Sequence, residues 1–226
     1  MSGTLQSIPC IGDGDTGYGN AVNCKRTVRS YARAGMAGIM IEDQVQPKRC
    51  GHTRDKSVVS FDEAVMRVRA AVDAASEPGC DIVIMARTDA RATHGLDEAI
   101  RRCQAFRELG AEITFLEAPR SVAEMEAYCR AVPGPKMANL LAGGLTPELP
   151  PSELEAMGFK LAAYPIDLLN ASIVGMREAL VGLREHGRSP AHLTLPFEEL
   201  QAVVGFPEYY EESARYSDRS EGEEAK

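Results

Sequence analysis

The stretch Gly38-Ile39-Met40-Ile41-Glu42-Asp43 is a short apolar run that ends in two acidic residues. Such a run predicts a buried β-strand whose last residues emerge into a site. The loop that follows, Lys48-Arg49-Cys50-Gly51-His52, places a thiol among a lysine, an arginine and a histidine. Positive neighbours favour the thiolate and lower a cysteine pKa, so the loop suggests a reactive thiol or a proton donor. A solvated basic loop with an incidental cysteine explains these residues equally well.

This predicted strand belongs to a repeated alternation of short apolar runs and amphipathic segments. Six strand-then-helix units, each of ~25–30 residues, extend from Ser7 to about Glu185. Ser60 with Glu63 three residues later predicts the start of one helix, and Asn23 is the predicted cap of the first helix. Consecutive parallel strands need a crossover, which the helices supply, so the pattern predicts a parallel α/β sheet.

The segment from Leu195 to Tyr216 departs from this repeat. It follows a proline-containing break and is rich in aromatic side chains, which need a surface to bury against. We therefore divide the chain into a barrel portion, 1–187, a C-terminal helical arm, 188–216, and a charged tail, 217–226. The arm is predicted to dock on the barrel or on another subunit, and the tail is predicted to be disordered.

Composition excludes several classes of function. The chain has 226 residues, with 25 basic and 33 acidic side chains and a formal net charge of -8, which argues against a nucleic-acid partner. No apolar run approaches the ~20 residues of a membrane span, and the first residues do not resemble a signal peptide. The 6 cysteines show no paired spacing, which predicts free thiols in a reducing compartment. We expect a cytoplasmic protein, or an organellar one if a longer N-terminus exists.

Residues with functional side chains collect at the ends of the predicted strands. They are Asp13 and Asp15, Glu42, Arg87, Glu117 and Asn139. Strand C-termini are where parallel α/β folds place their sites, and in a barrel they converge on one mouth. The three acids are hard oxygen donors that suit Mg²⁺ or Mn²⁺, and Arg87 suits a carboxylate. His52 can orient an anion or pass a proton. An Asp-x-Asp between glycines also occurs in turns and calcium loops, but the further ligands of a calcium loop are missing.

Several motifs together resemble the isocitrate lyase/phosphoenolpyruvate mutase superfamily. They are Asp13-Gly-Asp15-Thr-Gly-Tyr18-Gly, Ile41-Glu42-Asp43-Gln44, Pro47-Lys48-Arg49-Cys50-Gly51-His52, Met85-Ala86-Arg87-Thr88-Asp89-Ala90 and Glu117-Ala118-Pro119. The likeness runs from about Ile8 to Tyr216. Asn139, followed by Gly143-Gly144-x-Thr146-Pro147, is most similar to 2-alkylmalate and dimethylmalate lyases of the petal-death type. Proteins called carboxyvinyl-carboxyphosphonate phosphorylmutase share this pattern.

The resemblance implies a (β/α)₈ TIM-type barrel that binds Mg²⁺, with Mn²⁺ as an alternative. It implies that Asp15 binds the metal directly, and that Asp13 and Glu42 hold metal-bound waters. Cys50 is the implied general acid, supported by Lys48 and His52. The implied substrate-binding residues are Tyr18, Gly51, Arg87, Glu117 and Asn139. The family also implies a homotetramer, a dimer of dimers built through exchanged C-terminal helices.

The implied activity is Mg²⁺-dependent carbon–carbon cleavage of a small 2-hydroxy di- or tricarboxylate, of the alkylmalate or methylisocitrate type, to a 2-keto acid and a carboxylate. Alternatives are a carboxyphosphonoenolpyruvate phosphonomutase, an oxaloacetate hydrolase or decarboxylase and, from another class, an inactive truncated scaffold subunit. The chain begins at what corresponds to the family's third strand, so we expect a barrel that lacks the first two. Ala142 stands where alkylmalate-type members usually carry Glu, which leaves the substrate open.

Overall fold

A computed structural model describes residues 8–49 and 56–216 of the chain. Six strands lie in these ranges: β1 (Ile11–Asp13), β2 (Gly38–Glu42), β3 (Val83–Thr88), β4 (Ile113–Leu116), β5 (Met137–Asn139) and β6 (Leu161–Ala163). The helices are α1 (Ala21–Arg33), α2 (Phe61–Ala75), α3 (Ala90–His94), α4 (Leu96–Glu108), α5 (Val122–Ala131), α6 (Pro151–Met157), α7 (Asp167–His186), α8 (Phe197–Val203) and α9 (Phe206–Ala214). The predicted alternation of strands and helices is confirmed.

The strands pair in parallel and in chain order. β1, β2, β3 and β4 form one sheet, and β5 and β6 form a second. An isolated parallel bridge between Thr114 and Lys136 links the two sheets. In this register Glu42 lies opposite Arg87, so two of the predicted site residues are neighbours across the ladder. Arg87, predicted to lie directly after its strand, lies inside β3, one residue before the strand ends.

Side-chain alternation separates the core into an outer and an inner layer. Ile39, Ile41 and Ile84 are buried against α1 and α2 on the helix side of the sheet. Met85 and Phe115 belong to a separate inner cluster, against which Met40 packs. Because residues two apart in a strand share a face, the residue two positions after each inner side chain points to the same side. The residues near the C-terminal ends of these strands that follow the inner apolar side chains by two positions therefore lie on the inner face as well.

The helix starts follow local hydrogen-bonding rules. The Ser60 hydroxyl accepts a hydrogen bond from the Glu63 N–H, as predicted for α2. The predicted cap of α1 is wrong by three residues. Asn20 is the cap, because its side chain accepts from the N–H groups of Val22 and Asn23, while the Asn23 side chain accepts from the Asn20 N–H. This reciprocal pair is a capping box in which Asn23 holds the third helical position.

The described chain divides into two compact units with a boundary between Asp167 and Leu168. The second unit exposes large apolar side chains, among them Leu168 at 83%, Phe197 at 73% and Tyr216 at 80%. The arm boundary at 187 and its exchange between subunits stay predictions, and the tail 217–226 lies outside the described residues. No helix in the described ranges is long and apolar enough to span a membrane.

Candidate active site at the strand ends

Four of the predicted site residues meet on the inner face of the sheet. Glu42 and Asn139 end β2 and β5, Arg87 lies in β3, and Glu117 directly follows β4. Arg87 Nε lies 3.2 Å from Glu42 Oε2, and Arg87 Nη2 lies 3.7 Å from Glu117 Oε2. The Asn139 amide donates to Glu117 Oε1 at 3.5 Å. Each of them comes two residues after an inner-face apolar side chain, which explains why the sheet brings them together.

A second set of residues, which we call the mouth cluster, consists of Asp13, Asp15, Glu42 and Lys48. Lys48 Nζ lies 3.1 Å from Asp13 Oδ2 and 3.8 Å from Glu42 Oε1, and it also forms an ion pair with Asp15. The Asp15 carbonyl accepts from the Glu42 N–H at 2.8 Å, which ties the two chain segments together. Asp15 has a φ of 49°, an uncommon left-handed conformation that turns the chain sharply after β1. Three carboxylates thus converge on one cation.

Glu42 is the electrostatically unusual member of the mouth cluster. Its side chain is 2% exposed. Neither carboxylate oxygen has a hydrogen-bond partner among residues 8–49 and 56–216. Burial raises the pKa of Glu42 to about 7, and the nearby Arg87 only partly opposes this shift. A buried carboxylate of this kind is ready to accept hydrogen bonds from water or to face a cation.

The mouth cluster fits a hard divalent cation bound partly through water. Within the described residues, no three or more His, Cys, Asp or Glu side chains are arranged so that they could hold a metal ion as they stand. However, the three carboxylates reach a single point, now taken by the Lys48 ammonium, and their oxygens are the donors that Mg²⁺ prefers. Mg²⁺ usually keeps several waters, and the orphaned oxygens of Glu42 suit such waters. The donor chemistry therefore agrees with the predicted metal residues.

Behind this cluster lies a second group that the sequence did not reveal as functional. We call Asp43, Thr88, Asp89 and Arg102 the buried network. Asp43 accepts hydrogen bonds from Thr88 Oγ1 at 2.6 Å, from the Asp89 N–H at 2.9 Å and from Arg102 Nη1 at 2.9 Å. Asp89 in turn accepts two bonds from Arg87, from Nε at 2.8 Å and from Nη2 at 3.1 Å. One feature of the sequence could have indicated this network: Asp43 and Asp89 each directly follow a strand.

The remaining predicted residues divide into two groups. Tyr18 is 51% exposed. A hydrogen bond with Tyr31, desolvation and the charge of Asp15 raise its pKa, and its role in binding a substrate stays a prediction. Cys50, Gly51 and His52 lie outside the described residues, so their roles stay predictions. Among the described cysteines, burial raises the pKa of Cys24 to about 11 and that of Cys129 to about 11, so neither is an activated thiol.

Comparison with known proteins identifies the family. A sequence profile described as phosphoenolpyruvate phosphomutase matches residues 3–184. The chain is 48% identical to 2,3-dimethylmalate lyase of Eubacterium barkeri, over 78% of this chain and 59% of that protein. It is 40% identical to the chloroplastic carboxyvinyl-carboxyphosphonate phosphorylmutase of Arabidopsis thaliana, over 93% of this chain and 63% of that protein. With 2-methylisocitrate lyase of Aeropyrum pernix the identity is 37%, over 95% and 69%.

Solved structures give the same result. A crystal structure of 2,3-dimethylmalate lyase superposes with a TM-score of 0.87 at 36% identity, covering 98% of this chain and 74% of that one. Oxaloacetate acetylhydrolase bound to 3,3-difluorooxalacetate superposes with a TM-score of 0.84 at 38% identity, covering 93% and 72%. The chain spans roughly three fifths of the length of the first two curated relatives, 59% and 63%. Its parallel α/β fold is the TIM-barrel type of these proteins, and the chain belongs to the phosphoenolpyruvate mutase/isocitrate lyase superfamily.

Proposed function

We propose that the protein is a Mg²⁺-dependent carbon–carbon lyase that cleaves a small 2-hydroxy di- or tricarboxylate to a 2-keto acid and a carboxylate. One observation carries this proposal: a buried arginine, Arg87, lies beside a cluster of carboxylates at the C-terminal ends of parallel strands. An anion-binding group next to a cation-binding group suits a substrate that presents a carboxylate and a hydroxyl. The names of the relatives, dimethylmalate lyase and methylisocitrate lyase, point to the same class.

Arg87 is the proposed anchor for a substrate carboxylate. Burial works to lower its pKa, but the carboxylates of Asp89 and Glu117 outweigh burial and hold that pKa above its ordinary value. The guanidinium therefore stays charged at every pH at which the protein folds. Glu117 and Asn139, which contact each other, complete the proposed substrate surface, and Tyr18 and Gly51 are its further proposed members.

The proposed metal site uses the mouth cluster. Asp15 would hold the cation directly, and Asp13 and Glu42 would hold it through water. Mg²⁺, with Mn²⁺ as the alternative, supplies a Lewis acid beside the substrate's hydroxyl and carboxylate. One solved relative, phosphonopyruvate hydrolase, has a structure described as a complex with oxalate and Mg²⁺. In this chain the support is the orphaned, buried carboxylate of Glu42.

The proposed proton donor is Cys50, with Lys48 and His52 as supporting residues. The electron pair of the cleaved carbon–carbon bond passes to the α-carbon of the departing carboxylate, and the Cys50 thiol protonates that carbon. The substrate hydroxyl gives its proton to a carboxylate of the mouth cluster, and the carbon that carried this hydroxyl becomes the carbonyl of the 2-keto acid. This role rests on the resemblance of the Lys48–His52 loop to the lyases.

Hydrolysis of oxaloacetate is the second candidate, favoured by the likeness to oxaloacetate acetylhydrolase at 38% identity. The two reactions give different products from different substrates. We therefore propose a panel of alkylmalates, methylisocitrate and oxaloacetate, each with and without Mg²⁺. Release of a 2-keto acid from an alkylmalate or from methylisocitrate supports the lyase, and release of oxalate from oxaloacetate supports the hydrolase. Turnover of none of these substrates would favour an inactive scaffold or the phosphonomutase.

The metal site has its own test by calorimetry. We expect the heat of Mg²⁺ binding to disappear in Asp15→Ala, because the variant removes the proposed direct ligand. Asp81→Ala, which changes an exposed carboxylate before β3, is the matched control and should bind as the wild type does. If Asp15→Ala binds Mg²⁺ unchanged, the metal site lies elsewhere.

We also propose that the protein forms a homotetramer through its C-terminal helices. We propose the cytoplasm as its location. The exposed apolar side chains of α8 and α9, which include Phe197 and Tyr209, support an assembly surface. A chain that ends at Gly187 should dissociate or aggregate in light scattering. A soluble oligomer of unchanged size would refute this assembly.

A further inference from the structure

Arg87 is held from one side by a forked pair of hydrogen bonds. Its Nε donates to Asp89 Oδ2 at 2.8 Å and its Nη2 donates to Asp89 Oδ1 at 3.1 Å. Two parallel bonds fix the plane of a guanidinium as well as its position. Both side chains are buried, with Arg87 at 9% and Asp89 at 0% exposure. Water therefore offers Arg87 little alternative to this partner.

The two hydrogen bonds to Asp89 occupy the edge of the guanidinium that carries Nε and Nη2. Among residues 8–49 and 56–216, the shortest contact of Arg87 with each of Glu42, Asp89 and Glu117 is made by Nε or Nη2. The distances to Glu42, 3.2 Å, and to Glu117, 3.7 Å, are longer than the Nε–Asp89 distance of 2.8 Å. Asp89 is therefore the closest carboxylate contact of Arg87 and the one that fixes the plane of its guanidinium.

Asp89 itself is fixed by its surroundings. Its N–H donates to Asp43 Oδ1 at 2.9 Å, and Asp43 also accepts from Arg102 Nη1 at 2.9 Å. Lys56 Nζ lies 3.4 Å from Asp89 Oδ1, and both of these side chains are buried. A line of contacts thus runs from Arg102 on helix α4 through Asp43 and Asp89 to Arg87. Such a support holds a binding group in one orientation before the ligand arrives.

We propose that Asp89 is a positioning residue that sets the direction in which Arg87 meets a substrate carboxylate. The inference rests on the proposed function in one respect, the binding of a carboxylate by Arg87. Without the two hydrogen bonds to Asp89, the Arg87 guanidinium is free to turn toward the carboxylates of Glu42 and Glu117. Asp89 then acts on the ligand only through Arg87.

The first test measures Arg87 itself, without any ligand. In a ¹⁵N NMR spectrum the Arg87 Nε–H signal should be slow to exchange in the wild type and fast to exchange in Asp89→Asn, because the amide cannot accept both bonds. Glu77→Gln is the matched control, since Glu77 accepts the same pair of hydrogen bonds from Arg29. Arg29 Nε and Nη2 each lie 2.6 Å from a Glu77 carboxylate oxygen. An Arg87 signal that is unchanged in Asp89→Asn overturns the proposal.

The second test measures oxalate binding by calorimetry in the presence of Mg²⁺. A hydrogen bond to a charged group typically contributes enough for a change of roughly 10–100-fold, so Asp89→Asn should weaken oxalate binding by about this factor. In an Arg87→Lys background, Asp89→Asn should have no further effect, because the residue that it orients is gone. A merely structural role would give equal losses in both backgrounds, and that result overturns the proposal.

Failure of the proposed function is distinguishable from failure of this inference. A wild-type protein that binds no oxalate would refute carboxylate binding at Arg87. The NMR experiment would then decide on its own whether Asp89 orients Arg87. Urea denaturation of each variant checks that the proteins compared are folded.

Discussion

Glu42 and Asp43 are consecutive acids at the end of β2, yet they belong to two regions with opposite character. Glu42 is part of the mouth cluster, and neither of its oxygens has a hydrogen-bond partner among the described residues. Asp43 is part of the buried network and accepts three hydrogen bonds. Burial raises the pKa of both acids, but for Asp43 hydrogen bonds from Thr88 and Asp89 oppose it. The alternation of the strand turns the two side chains to opposite sides.

Under the proposed function, the fold divides two tasks between these neighbouring carboxylates. A group that is to bind a cation has to keep its lone pairs available, which costs stability while the site is empty. A group that is to hold the site in place gains most when every lone pair is occupied. Proteins commonly sacrifice stability at the first kind of residue and recover it at the second. The comparison therefore predicts mutational effects of opposite sign at adjacent positions.

The largest effect is expected for Asp43→Ala. The variant removes one of two carboxylate partners of the buried Arg102 guanidinium, the other being Glu98, and leaves the Thr88 hydroxyl and the Asp89 N–H without this acceptor. Removing one partner of a buried ion pair typically costs about 3–5 kcal/mol, so the free energy of unfolding should fall by that amount. Urea denaturation measures it, with Asp81→Ala as the exposed control. A loss below about 1 kcal/mol would place Asp43 with surface ion pairs and remove the contrast with Glu42.

The opposite sign is expected for Glu42→Gln in the metal-free protein. The pKa of Glu42 is about 7 in the folded protein and near its ordinary value of 4.5 in the unfolded chain. The folded state therefore binds the proton more tightly, and ionisation lowers stability as pH rises from 4.5 to 7. The permanently neutral glutamine avoids this loss and should be more stable than the wild type by up to about 3 kcal/mol at pH 8. The gain should vanish below the unfolded pKa.

Denaturation at pH 8 and pH 4, in the presence of a chelator, measures this difference. Mg²⁺ should reverse the order of the two proteins at pH 8, because it stabilises the wild type and binds the variant less well. If the difference in stability between Glu42→Gln and the wild type is the same at pH 8 and pH 4, Glu42 does not titrate near 7. The cost in stability assigned to the mouth cluster would then be removed.

The sequence predicted the alternation of strands and helices and the residues at the strand ends, because both follow from a short-range pattern. Apolar runs that end in Asp13, Glu42, Glu117 and Asn139 do end there in the structure, or one residue before. Side-chain alternation then suffices to place them on one face. The cap of α2 at Ser60 was equally readable, since capping depends on residues only three apart.

The buried network was not predictable, because it depends on contacts between residues far apart in the chain. Arg102 follows the exposed Arg101 on helix α4, and nothing in its neighbours marks it as the partner of Asp43, 59 positions away. The cap of α1 failed for a different reason. Asn20 and Asn23 are both suitable caps, and only the backbone geometry of the glycine-rich turn before them selects Asn20.

The smallest effect is expected for Thr88→Val, which separates the members of the buried network. The hydroxyl donates to Asp43 Oδ2 at 2.6 Å and accepts from the Ala90 N–H at 3.1 Å. Valine keeps the shape, leaves Asp43 with two donors and leaves the Ala90 N–H without this acceptor. Because the ion pair with Arg102 persists, the loss in free energy of unfolding should be about 1–2 kcal/mol, the usual range for one buried hydrogen bond. Thr88→Ser, which retains the hydroxyl, separates this loss from the effect of removing a methyl group. If Thr88→Val costs as much stability as Asp43→Ala, the buried network acts as one cooperative unit. If it costs nothing, the ion pair with Arg102 alone stabilises Asp43. The full set of hydrogen bonds that distinguishes Asp43 from Glu42 would then matter only through that ion pair.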